Sequence, residues 1–143
     1  MVIKRLRSPI LTVIQDASFG SVTNAMWEVT AGKVYTPQIN GLLERITTSF
    51  NATNDVDGSF SLTTRDLSST NICLVTDFST NKASRTIYPQ YYPTSGGSAT
   101  LFNANAANSG GIGIPLPICG SLVGSVAGAT SGNTVIFEIF YRV

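Results

Sequence analysis

The chain has 143 residues, 43% of them hydrophobic and only 12% charged, and nine Lys and Arg against eight Asp and Glu leave a net charge of +1. That length suits one domain able to bury roughly 70% of its unfolded surface without disulfides, while the charged share is about half the usual one. No basic field develops over the chain as a whole, so nucleic acid is not an expected partner; no apolar run reaches the ~18 residues of a membrane-spanning helix, and no membrane partner is expected; with no histidine, the Ser-His and Cys-His pairs and the common zinc sites are excluded.

Residues 1–15 read as an extended N-terminal arm or edge strand ahead of a single domain over 16–143. Lys4, Arg5 and Arg7 group before Pro9; such a cluster is more often a solvated terminus than a binding element, and as a contact it suits an acidic protein surface as well as nucleic acid. The apolar run that follows is interrupted by Pro9, Thr12 and Gln15, unlike a secretory signal, so it is expected to belong to the mature protein. Gln15 to Asn24 reads as loop. Ala25 to Val29 reads as a short strand containing Trp27, a core or edge residue, and Lys33 to Thr36 as another, ended by Pro37.

From Ile46 onward the chain alternates, with Ile46, Thr48 and Phe50 on one face. After a turn over 51–58, Phe60 and Leu62 share a face of the next strand, and the two strands are expected to form a hairpin. The turn carries a metal-like spacing, Thr53, Asp55, Asp57 and Gly58, in the order of an EF-hand loop. Its first position is threonine, however, and its twelfth is Thr64 where a bidentate glutamate is required. Asp and Gly also suit tight turns on conformational grounds alone, so no metal and no cofactor is expected.

Asn71 to Phe78 alternates as a strand. Cys73 within it and Cys119 further on lie in apolar runs and read as buried free thiols. Tyr88, Tyr91 and Tyr92 stand around Pro89 and Pro93, which forbid helix and favour extended geometry. These tyrosines are candidates to stack on sugar rings or anchor a protein interface, or else they pack over the end of the fold. Residues 94–113 are dominated by Ser, Gly, Asn and Ala, with Leu101 and Phe102 as anchors, and read as flexible connections. Their paired glycines lack the context of a phosphate loop.

In the segment after Pro117, Ile118, Gly120, Leu122, Gly124 and Val126 share a face against Cys119, Val123 and Ala127. Glycines inside a strand imply that another backbone or a ring approaches closely. Residues 116–127 are expected to pair with 134–143 as a closing hairpin. In that last strand Val135, Phe137, Ile139, Tyr141 and Val143 form a fully apolar face that belongs in a core. The opposite face is mixed: Ile136, Glu138, Phe140 and Arg142 form a candidate oligomer interface, because a lone two-layer structure leaves Ile136 and Phe140 uncovered.

Short strands separated by Gly, Asn, Ser and Pro turns predict an all-β fold, an antiparallel β-sandwich, with a jelly roll of about eight strands as the expected form. The acidic residues are scattered and select no pair with glycosidase geometry, so no catalysis is expected. A carbohydrate-binding module using Tyr88, Tyr91 and Tyr92 is one alternative.

The Thr/Ser/Asn/Gly-rich texture, the run Y-P-Q-Y-Y-P-T-S-G from Tyr88, and G-I-P-L-P-I-C-G-S-L-V-G-S-V-A-G-A followed by G-N-T-V-I-F-E-I-F-Y-R-V resemble head decoration (cement) proteins of tailed bacteriophages, over about residues 86–143. The resemblance implies jelly-roll homotrimers seated on the outer capsid surface of the virion, assembled in the host cytoplasm and clamping neighbouring subunits of the major capsid protein. It also implies that Lys4, Arg5 and Arg7 reach onto the capsid while the mixed face of the last strand meets a sister subunit. A tail or fibre component shares the same texture and is the second alternative.

Overall fold

The structure, a computed structural model, describes residues 2–15, 17–51, 55–65, 71–78, 84–93, 99–102 and 114–143. Those residues form no helix, and two antiparallel sheets pack against each other as a β-sandwich. Among the described residues strand falls into fifteen segments, against the eight or so strands expected. Sheet I is built on the two longest partners, β6 (Ile39–Asn51) and β15 (Thr134–Arg142), which pair along nearly their whole length. On the far side of β6 lie β9 (Ser84–Ile87) and β13 (Pro117–Gly120). On the far side of β15 lie β1 (Ile3–Arg7) and β2 (Leu11–Gln15), the latter continued by β3 (Ser18–Phe19). Sheet II has the order β4 (Glu28–Thr30), β5 (Lys33–Tyr35), β14 (Leu122–Ala127), β7 (Asp55–Thr64), β8 (Asn71–Phe78). A third, small sheet joins β10 (Gln90–Pro93) to β11 (Ala99–Phe102) and β12 (Ile114–Pro115). Leu101 and Phe102, expected to anchor a flexible connection, are therefore strand residues opposite Tyr91 and Gln90.

The core lies between sheets I and II and is made by the residues whose two-residue period points inward. Phe137 of β15 and Phe60 of β7 meet across it with ring centres 5.3 Å apart, and both are fully buried. Trp27 closes one side, edge-on to Phe137 at 5.5 Å, and is a core residue although it precedes β4. Ile46, Thr48 and Phe50 all face inward, as do Phe60 and Leu62.

Both expected hairpins are instead corners. β6 belongs to sheet I and β7 to sheet II; β14 belongs to sheet II and β15 to sheet I. The run 117–127 itself changes sheets, leaving β6 after Gly120 and joining β5 and β7 from Leu122 onward. Gly120 has φ 139°, a backbone region open mainly to glycine, and supplies the bend. The inward alternation survives the crossing, so Ile118, Leu122 and Val126 are all buried. At Gly124 a side chain would meet the Val34 methyl at 2.6 Å and the Phe60 ring at 3.3 Å, which is the close approach expected of a strand glycine.

The first residues lie within the sandwich: β1 pairs with β15, and β2 lies between β15 and β3 with Leu11 and Val13 in the core. Ser8 and Pro9 separate β1 from β2 by a device that recurs in sheet II. The Ser8 hydroxyl donates to the Pro9 carbonyl at 2.8 Å and accepts the Phe137 amide at 3.0 Å. Thr36 does the same before Pro37, donating to its carbonyl at 2.8 Å and accepting the Leu122 amide at 2.9 Å. Proline has no N–H with which to continue a ladder, and in each case the hydroxyl of the residue before it takes the buried amide that the neighbouring strand would otherwise leave unpaired.

Candidate interaction surface

Residues directly opposite in an antiparallel pair lie on the same face of the sheet. That rule assembles the outer face of sheet I from segments far apart in sequence. Arg7, Glu138 and Thr47 form one row across β1, β15 and β6, and Arg5, Phe140 and Arg45 form the next. Ile3 and Arg142 follow beside Leu42. The pairing of β6 with β15 slips between Phe140 and Tyr141, where Glu44 is the extra residue. A bulge of this kind restarts the alternation. Leu43 and Ile46 therefore both face the core, while Glu44 and Arg45 both line the outer side with Phe140.

This face binds itself together with charge. Arg5 and Glu138 approach to 3.5 Å, Arg142 pairs with Glu44, and the Arg45 guanidinium lies 4.2 Å from the centre of the Phe140 ring. Glu138 and Arg142, expected to pair across an oligomer interface, thus already hold partners within the chain. Ile136 and Phe140 are half-buried. The face gathers four arginines, Arg5, Arg7, Arg45 and Arg142, against two glutamates, an excess of two positive charges where the whole chain carries +1.

The basic trio is split. Arg5 and Arg7 join this outer face, whereas Lys4 and Leu6 lie opposite Tyr141 and Ile139 on the inward side. Leu6 packs on the core and Lys4 is exposed beside it. Tyr88 joins Ile3, Glu44, Arg45 and Phe140 around a depression of about 180 Å³. The side chains of Tyr91 and Tyr92 lie outside the described residues. A second cleft, about 300 Å³, is lined by Arg7, Glu138, Thr47, Ser49, Thr86, Ile136, Thr48 and Arg85. Arginine and hydroxyl groups in such a cleft suit an acidic or polar guest.

Sequence reasoning missed an apolar patch at the same end of sheet I. Val2 and Ile3 are each 59% exposed, Val143 57%, Tyr88 49% and Leu42 36%, and the Val143 amide bonds to the Val2 carbonyl at 3.0 Å. Single exposed apolar residues are ordinary, but a group is the mark of an interaction surface. The missing signal was pairing: Val2 and Val143 meet only because β1 lies along β15.

Cys73 faces the core from β8, and burial pushes its thiol up to about 12. Cys119, expected to be buried too, is exposed on β13, because that edge strand turns only its Ile118 side to the core. Neither is in a disulfide. Of the calcium-like spacing, Asp55, Asp57, Gly58 and Thr64 belong to strand β7 and Thr53 lies outside the described residues. Among the described residues no three His, Cys, Asp or Glu gather as metal ligands.

No family model matches the chain, and neither a curated protein nor a solved structure matches it.

Proposed function

We propose that this chain is a structural virion protein, a head decoration protein that binds the outer capsid surface as a homotrimer and bridges neighbouring major capsid subunits. The observation that supports this most is the outer face of sheet I, where an exposed apolar patch adjoins an arginine-rich strand edge. In this reading the patch of Val2, Ile3, Leu42, Tyr88 and Val143, with Phe140 beside it, meets a sister subunit. Arg5 and Arg7 meet an acidic capsid surface. Burying three such apolar side chains per subunit contributes roughly 1.5–3 kcal/mol each, much of it offset by the cost of association. Stabilisation of a shell then comes from many copies each adding a modest amount, with no chemical step.

Sedimentation of the purified chain tests the reading. A species of three times 15.1 kDa at micromolar concentration is expected. A monomer that binds soluble polysaccharide would replace the virion reading with a carbohydrate-binding module, for which Tyr88 on the exposed face is the contributing aromatic.

A further inference from the structure

β1 has one partner among the described residues, β15. The Ser8 amide donates to the Phe137 carbonyl at 2.9 Å and the Val143 amide to the Val2 carbonyl at 3.0 Å. In an antiparallel pair the backbone groups of alternate residues turn toward the same neighbour, so the even residues of β1 bond to β15. The amides and carbonyls of Ile3, Arg5 and Arg7 consequently face outward, along a strand whose residues are exposed except for Leu6. An open strand edge is a template for another strand.

From the charge on that edge we infer that β1 is a strand-addition site for an acidic, extended segment of a partner protein. A second copy of this chain is a poor occupant: antiparallel pairing of β1 with itself about Arg5 sets Arg5 against Arg5 and each Arg7 diagonally across from the other copy's Arg5, and like charges opposite each other destabilise a pair. Glu138 approaches Arg5 at 3.5 Å and stands directly opposite Arg7, so the two arginines share this one carboxylate. An incoming strand with carboxylates at alternate positions places them on the outer face beside Arg5 and Arg7, and an apolar residue between them falls beside Leu6 on the core side. Backbone hydrogen bonds supply the hold and this alternation supplies the selectivity. The inference deepens the proposed function by naming how the partner is gripped, and it rests on that reading only for the identity of the partner.

The probe is a blocked eight-residue peptide alternating glutamate with valine and threonine, beside a counterpart carrying lysine for glutamate. By fluorescence anisotropy the acidic peptide binds at least tenfold more tightly, and the difference shrinks in high salt. In hydrogen exchange, saturating peptide slows the amides of Ile3, Arg5 and Arg7 about tenfold and leaves those of Lys4 and Leu6 nearly unchanged. Arg5→Pro keeps the fold, because that amide is outside the β15 ladder, yet loses binding; Arg5→Ala weakens it only a few-fold. Equal losses for the two variants, or unchanged exchange at residues 3, 5 and 7, overturn the inference. If Arg5→Pro unfolds, the exchange pattern of the unaltered chain decides. A monomer that binds the peptide defeats the trimer and keeps the strand addition; a trimer indifferent to the peptide does the reverse.

Discussion

The two sheets of this sandwich share one core and present unlike outer faces. Sheet II shows Ser59, Ser61, Thr63 and Ser125 to solvent, with Glu28 and Lys33 near its edge and Arg65 stacked 4.6 Å from the centre of the Tyr35 ring. It is the hydroxyl-rich, nearly neutral surface expected of a sheet with one wet side. Sheet I shows four arginines, Ile3, Ile136 and Phe140. A total charge of +1 therefore conceals a local imbalance: among the described residues four arginines share this one outer face with two glutamates. Net charge governs solubility, but recognition responds to local charge, and a chain that looks neutral end to end still carries a surface selective for acid.

The largest expected effect concerns what the sheets share. Phe137→Ala removes the ring that sheet I sets against Phe60 of sheet II and against Trp27. A loss of about 3–5 kcal/mol in urea unfolding is expected for a buried phenylalanine. A loss below about 1 kcal/mol would mean that the sheets are not held by this contact.

The next test separates the outer faces. Phe140→Asp on sheet I is expected to shift the oligomer to monomer in ultracentrifugation, weakening self-association by at least tenfold, as removal of roughly 1.5–3 kcal/mol of apolar burial implies. Ser61→Asp on sheet II should leave it unchanged. Equal sensitivity of the two faces defeats the distinction between them.

Ser8 and Thr36 compare the same device in the two sheets. Removing either hydroxyl, by Ser8→Ala or Thr36→Val, strands a buried strand amide, Phe137 in sheet I and Leu122 in sheet II. Each change is expected to cost about 1–3 kcal/mol in thermal or urea unfolding. A neutral Thr36→Val would show that the Leu122 amide does not depend on the hydroxyl.

These elements also show what a sequence discloses. The period of two located the inward residues from Ile46 and Phe50 to Val135, Phe137 and Ile139, but it also assigned to the core Tyr141, which is half-buried, and Val143, which is exposed. It did not tell which sheet a strand joins, because both sheets face the same core and a corner leaves the same alternation as a hairpin. Hence 134–143 was expected beside 116–127 but pairs with β6, β1 and β2. The outer face was readable only in pieces. Phe140 and Arg142 stood out on the last strand and Arg5 and Arg7 near the start, but nothing local said that they are neighbours. The bulge left a trace, the alternation restarting at Ile46, although its effect of placing Glu44 and Arg45 beside Phe140 depends on the partner strand.

The two cysteines extend the comparison to chemistry. Cys119 on sheet I is exposed and should react at once with a thiol reagent in the native protein, while Cys73 on sheet II should react only on unfolding. Cys73 also couples stability to alkaline pH. Burial raises its thiol from 9.0 to about 12, so in the folded chain it keeps its proton where the unfolded chain releases one. The unfolded state is therefore favoured as pH rises between about 9 and about 12, and stability from this group is complete below that window. At pH 10 the loss amounts to about 1.4 kcal/mol, one unit of titration. Cys73→Ala lowers stability at every pH by creating a small cavity, but the fall between pH 8 and pH 10 should be shallower by about that amount than in the unaltered chain. Parallel stability curves for the two proteins would mean that the Cys73 thiol ionises as readily in the folded chain as in the unfolded one, and that sheet II does not seal it from water.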